Sequence, residues 1–336
     1  MISQALAPHS PPANDTRSQC KALAAPAHQA SDPEILPVES PRERFDRLRA
    51  EARRAIQSGQ LESCLALLDE ALAIARDLGD PRLEATAVCN RAAIGISIGE
   101  TEDHVAPLRT ILMRNFGLDT SFAAAYNLAQ AYEAQKQYKK SLFYARVARD
   151  RALAAENQEF LAKSLTQLGL SLLGESFFDQ AAGSFKKSIS LMGPGLNELS
   201  VSPRLSHGYC LVVLGRAREA MGEFYRCLRW MRRSGQQIYR PWAHLFLGCG
   251  HLELGRLRHA WLHVRRSLQL AEEMGEDEAT KSALMMLGEV ERAAGDYQAA
   301  YDCFQSLQHR FFPDDDSDYA EVLSMVGVAR VVNLGI

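Results

Sequence analysis

Seven times along the chain, a turn position follows a glycine or alanine by seven residues. The turn positions are Gly59, Gly99, Lys136, Ser176, Gly215, Gly255 and Gly295, at steps of 40, 37, 40, 39, 40 and 40 residues. The residues seven before them are Ala52, Ala92, Ala129, Gly169, Gly208, Gly248 and Gly288. Five after them come Cys64, His104, Ser141, Ala181, Ala220, Ala260 and Ala300, all small except His104. Nine after them come Leu68, Leu108, Ala145, Phe185, Phe224, Val264 and Phe304, all apolar. A period of this length, held across most of the chain, is the mark of stacked repeats and excludes most single-core folds.

The local pattern says what one repeat is. From about Pro41 onward, apolar residues recur three and four apart and alternating β-branched runs are missing, so the chain reads as helix almost throughout. Short interruptions such as "LGDP", "IGE", "LGRA" and "MGEDE" separate the helices. Asp80-Pro81 places a capping carboxylate before a proline in a first helical turn. Each repeat is therefore a pair of antiparallel helices joined at the turn position. The spacing predicts that the Gly/Ala position of the first helix faces the small position of the second, with large residues filling around that contact. Each hairpin leaves an apolar face that only the next can cover, so the hairpins stack into a solenoid.

Leu287-Gly288, Gly295-Asp296-Tyr297, Ala300 and Phe304 resemble the signature of the tetratricopeptide repeat (TPR). Leu247-Gly248 with Gly255 and Ala260, and Leu168-Gly169 with Phe178, Ala181 and Phe185, match it well. So do Tyr126-Asn127-Leu128-Ala129 with Tyr132, Tyr138 and Ser141. The repeats over 43–80 and 81–118 are weaker, with Arg91 and His104 departing from the pattern. The resemblance implies a right-handed superhelical α-solenoid, all-α, with seven hairpins plus a terminal helix. The expected layout is a disordered Pro/Ala-rich tail over 1–42, a repeat array over 43–317 and a terminal helix over 318–336. That last helix matches the first half of an eighth repeat, with Val326-Gly327 at the pair position. Its apolar end, "VGVARVVNLGI", points either to self-association or to a chain that continues. Repeats longer than the usual 34 residues are similar to those of peptide-sensing regulators, kinesin-light-chain-like adaptors and the sensor arms of bacterial signalling proteins.

The resemblance also assigns a groove, lined by the first helices of successive repeats. Carried over position by position, it implies polar contacts from Asn90, Tyr126, Asn127, Gln130, Lys163 and Gln167, and apolar anchors at Tyr209, Trp242 and Phe246. Asparagine offers both a donor and an acceptor to an extended peptide backbone, and aromatic residues suit apolar anchoring. For each aromatic, packing between repeats is the competing role. The chaperone-tail clamp of the family is absent, because Arg49, Arg53, Cys89 and Ala93 stand at its positions.

Chemistry finds little support. No phosphate-binding loop, metalloprotease, nucleophile-elbow or dinucleotide motif is present. His259 and His263 have metal-ligand spacing on a helix, with His244 and His251 before them, but arginines surround them and no carboxylate accompanies them. No metal or cofactor is assigned. Seven scattered cysteines without a CxxC pair fit a reducing cytosol and a cytoplasmic protein. No apolar stretch reaches membrane-spanning length.

The net charge of −3 hides an asymmetry. Between Val201 and Arg266 there are 12 arginines, no lysine and 3 glutamates, a net of +9. From 267 to 323, 14 acids oppose 3 basic residues, a net of −11. Arg226, Arg229 and Arg233 share one helix face. Either these arginines pair with acids on neighbouring repeats, or they dock an acidic partner through bidentate contacts. The missing aromatic interleaving argues against nucleic acid. The expected function is a non-catalytic scaffold or adaptor that binds a protein or peptide segment. The alternative is the sensory TPR portion of a signalling or transcription-regulatory protein.

Overall fold

The fold is described from a computed structural model, which covers residues 39–57, 60–314 and 317–326. Its helices are α1 (Pro41–Gln57), α2 (Leu61–Asp77), α3 (Pro81–Ser97), α4 (Glu102–Arg114) and α5 (Leu118–Ala134). They continue as α6 (Tyr138–Ala154), α7 (Gln158–Gly174), α8 (Phe178–Met192), α9 (Glu198–Val213) and α10 (Ala217–Ser234). The series ends with α11 (Arg240–Glu253), α12 (Leu257–Met274), α13 (Asp277–Ala294), α14 (Tyr297–Phe311) and α15 (Tyr319–Met325). This gives fourteen successive helices and a short terminal one, with no strand among the described residues; α3 and α4, expected as the second hairpin, fall in different compact units. Most of the tail expected to be disordered lies outside the described residues, as does the apolar stretch after Val326 on which self-association was argued.

Of the turn positions, Gly59 lies outside the described residues, and the other glycines adopt the backbone their residue type suggests. Gly99, Gly215, Gly255 and Gly295 all have φ between 69 and 96°. Lys136 and Ser176 adopt the same left-handed conformation, at φ 57 and 62°, without glycine's freedom from the Cβ clash. A tertiary demand therefore sets this geometry even where the residue resists it. Asp80 caps α3 as expected, accepting from the backbone N–H groups of Arg82 at 2.9 Å and Leu83 at 3.4 Å.

The small-residue contact differs from expectation. A Cβ on Gly169, Gly208 or Gly288 would lie 2.6, 2.4 or 2.6 Å from the ring of Phe185, Phe224 or Phe304. On Gly248 it would meet Val264 at 2.4 Å. The glycine thus makes room first for the large residue nine after the turn; at Gly248 the backbone oxygen of Ala260, five after the turn, comes next at 3.5 Å. A flat ring against bare backbone fills the interhelical space without a void. In the hairpin of α5 and α6, which carries alanines at both places, the small position meets the pair position through a hydrogen bond. There Ser141 Oγ donates to Ala129 O at 2.8 Å.

The chain divides into two compact units, Met1–Ile98 and Gly99–Ile336. In the first, Phe45, Leu48, Ala71, Ala75, Leu83 and Ala87 pack together across α1, α2 and α3. In the second, one apolar cluster runs from Ala129 on α5 to Val290 on α13. The boundary falls within the helix pair with the weakest repeat pattern, the one that carries Arg91 and His104.

Candidate functional site

In the second unit, α5, α7, α9, α11 and α13 pack one on the next and form its inner layer. Two interactions across that layer show how far it curls. Lys136 Nζ, in the turn after α5, lies 3.4 Å from Glu278 Oε1 in the first turn of α13. Tyr126 on α5 is raised in pKa by burial first, then by Tyr239 just before α11. The inner face is therefore closed in, with polar groups along it.

Of the expected groove residues, Tyr126, Asn127, Lys163 and Gln167 sit on this layer, and all are buried. Gln130 is half-buried beside them. Tyr126 stacks on Phe122 with centroids 5.6 Å apart. Lys163 Nζ pairs with Glu159 Oε1 at 2.7 Å along its own helix. The Gln167 side chain, 1% exposed, leaves Nε2 without a well-formed hydrogen bond. It lies close enough to Glu133 to lower that carboxyl slightly, but burial dominates and Glu133 is pushed up to about 7. On α13, Glu289 accepts from Arg292 at 2.7 Å through Oε2, while Oε1 stays buried and unpaired. Asn90 belongs to the first unit, where its Nδ2 is buried without a partner.

The aromatic anchors are placed differently from the groove reading. Tyr209 is fully buried and Phe246 nearly so, and their rings stack at 4.9 Å. Phe246 also packs at 6.0 Å from Phe224. These residues fill the space between repeats, because rings of this size repay burial more than exposure on a groove wall. Trp242, with its ring 6.1 Å from Phe246, keeps part of its surface. Cys249 is buried and its thiol pushed up to about 12, the opposite of an activated nucleophile.

The arginine-rich segment is largely uncompensated. Arg204 and Arg226 both reach Glu223 at 2.9 Å, and Arg216 reaches Glu219 at 2.7 Å. Among the described residues the other nine, Arg229 and Arg233 included, have no carboxylate within ion-pair distance. Pairing with acids on neighbouring repeats, one of the two sequence readings, is therefore not how most of these arginines are held.

Sequence spacing did not show that the four histidines meet. His244 Nδ1 lies 3.1 Å from His263 Nδ1, and Tyr225 Oη lies 3.0 Å from His251 Nε2. The His251 ring stacks on His259 and His263 at 5.2 and 5.4 Å. Among the described residues, no group of three or more His, Cys, Asp or Glu is placed to hold a metal ion.

No family model and no curated protein matches the chain. Solved structures do. A Rap protein complexed with competence and sporulation factor aligns at TM-score 0.65 and 14% identity, over 79% of this chain and 76% of that one. The apo quorum sensor NprR from B. thuringiensis aligns at TM-score 0.60 and 13% identity, over 80% and 76%. A tetratricopeptide repeat protein from Parabacteroides merdae ATCC 43184 aligns at 0.51 and 17%, over 84% and 98%. The chain thus has the all-helical solenoid fold of TPR-type repeat proteins. No described helix is long and apolar enough to cross a membrane.

Proposed function

We propose that this chain is a non-catalytic, cytoplasmic interaction protein whose inner helices take up an extended peptide or protein segment. One observation carries the reading: polar groups are buried on the inner layer, where Glu289 Oε1 has no partner of its own and Gln167 Nε2 has only the Glu133 carboxyl near it. A buried donor or acceptor left unmade costs about 1–3 kcal/mol, so such groups are kept where a ligand satisfies them. A peptide backbone offers N–H and C=O groups at regular spacing and suits both. Gln130 and the half-buried Trp242 add an adaptable amide and an apolar contact. The fold neighbours support this reading, since one was solved with a competence and sporulation factor and another is a quorum sensor. That resemblance also favours the sensory alternative, in which peptide uptake is the signal and a separate partner reads it.

The test is selection from a displayed peptide library on the wild-type protein, followed by calorimetric titration of the enriched peptide. Gln167→Leu and Trp242→Ala should each weaken binding at least about tenfold, or ~1.4 kcal/mol. Full affinity in both variants, with their folds intact, would remove the inner layer as the site.

A further inference from the structure

Successive helices of the second unit alternate in direction. The ends of α10, α12 and α14 and the starts of α11, α13 and α15 therefore lie along one edge of the stack. Contacts between neighbouring hairpins tie this edge together. Ser267 Oγ in the second half of α12 donates to Pro241 O at the start of α11 at 2.8 Å. Arg310 at the end of α14 reaches Glu272 at the end of α12 at 3.0 Å.

The edge changes sign from one hairpin to the next. Arg229, Arg232 and Arg233 stand in the last two turns of α10, and all three are exposed. One hairpin on, Glu273 stands in the last turn of α12, Glu276 is the N-cap of α13 and Asp277 is its first residue, and these too are exposed. Glu273 accepts from the neutral amide of Gln269 at 2.8 Å. None of the six makes an ion pair among the described residues. The two patches thus belong to neighbouring hairpins without neutralising each other, and each is open to charge from outside. Helix dipoles account for only part of this. Arginines suit the end of α10 and Asp277 suits the start of α13, but Glu272 and Glu273 stand in the last turn of α12, where no base accompanies them and the helix's own partial charge is negative.

Adjacent patches of opposite sign on one surface are self-complementary. A two-fold rotation about an axis between them lays the basic patch of each copy on the acidic patch of the other, and both contacts form at once. We propose that this edge is the interface with a second copy of the chain, in which Arg229, Arg232 and Arg233 of each copy face Glu273, Glu276 and Asp277 of the other. An unrelated acidic partner would use the arginines and leave the carboxylates idle, whereas a second copy uses both. A single exposed ion pair contributes little, but six charges from each copy, met together, form a network. Met274, exposed between Glu273 and Glu276, adds an apolar contact. The interface does not rest on peptide uptake by the inner layer.

Sedimentation velocity on the full chain tests this. Wild type should form a dimer whose Kd weakens at least about tenfold between about 50 and about 500 mM sodium chloride. The double variant Arg232→Glu with Arg233→Glu should be monomeric at low salt, and so should Glu276→Arg with Asp277→Arg, because each then meets its like. Mixed in equal amounts, the two variants should form a heterodimer of near wild-type affinity, since both reversed patches again face their opposites. Arg256→Glu with Arg258→Glu, at the opposite edge, makes the same change in net charge and should leave the dimer intact. A wild type that stays monomeric up to about 100 μM at low salt overturns the proposal. So does a dimer that survives either reversal, an equal loss from the change at the opposite edge, or a mixture of folded variants that does not associate. Circular dichroism checks each fold, and the wild-type concentration and salt series stands even where a variant fails to fold.

Discussion

Lys136 Nζ lies 3.4 Å from Glu278 Oε1, although the two residues are 142 apart in sequence. The pair ties the turn after α5 to the first turn of α13. It also accounts for a lysine at a turn position that elsewhere prefers glycine, since a glycine there could not span the inner layer.

The backbone cost at that turn can be measured. Lys136 and Ser176 hold φ of 57 and 62° where glycine would be unstrained. Ser176→Gly should stabilise the fold by about 0.5–1 kcal/mol. Lys136→Gly should gain a similar amount less the ~0–1 kcal/mol of an exposed ion pair. Urea denaturation midpoints check both, and a loss of more than about 1 kcal/mol in Ser176→Gly would contradict the strain argument.

The glycine–ring contact should be intolerant of one carbon. Gly208→Ala places a Cβ 2.4 Å from Phe224 Cε1, so it should cost about 1–3 kcal/mol. Gly208→Ala combined with Phe224→Leu should lose less than the two single changes added together, because the smaller side chain yields the space. Ala300→Arg should also be destabilising, since Ala300 is fully buried. Additive losses in the double variant would show that the ring is not the obstacle.

The histidine cluster makes stability depend on pH. Burial, then the neighbouring charges, lowers His244 to about 3 and His251 to about 4, against 6.5 for a free side chain. Burial likewise lowers His263. In the folded state these rings stay neutral, while the unfolded chain takes up protons below about 6.5. Their stabilising effect is therefore complete above pH ~6.5 and is lost as pH falls towards the folded values. The midpoint in urea should drop between pH 7.5 and about 5, and His244→Gln should flatten that slope. An unchanged slope would mean that His244 is not part of the linkage.

Glu133 acts in the opposite direction. Burial raises its carboxyl to about 7 from 4.5, so unfolding releases a proton between those values. Its penalty is absent below pH ~4.5 and grows as pH rises to about 7. Glu133→Gln should raise Tm by roughly 2–4 °C at pH 8 and much less at about pH 5. A gain independent of pH would point to packing rather than charge.

Much of the fold was legible because it rests on short-range chemistry. The turn positions, the Asp80 cap and the small and large positions all follow from a fixed 40-residue register, and a hairpin is built almost wholly from contacts inside that window. The TPR pattern extended the reading to a stack, since no single hairpin can bury its own apolar face. Two points needed the tertiary structure. Gly288 was matched to Ala300 rather than Phe304, because small-on-small and small-on-ring packing leave the same spacing in a sequence. Tyr209 and Phe246 were read as groove anchors, because position within a repeat does not say how tightly successive repeats close.

By itself, then, the sequence determined the repeat unit, its helices and its turns, since these depend on neighbours a few residues away. The tertiary structure alone decided how far the inner layer curls, that Lys136 meets Glu278, that four histidines share one cluster, and that nine arginines of the 201–266 segment find no carboxylate among the described residues. Those facts depend on small rotations between successive hairpins. Such rotations add up along the stack, and no local pattern encodes their sum.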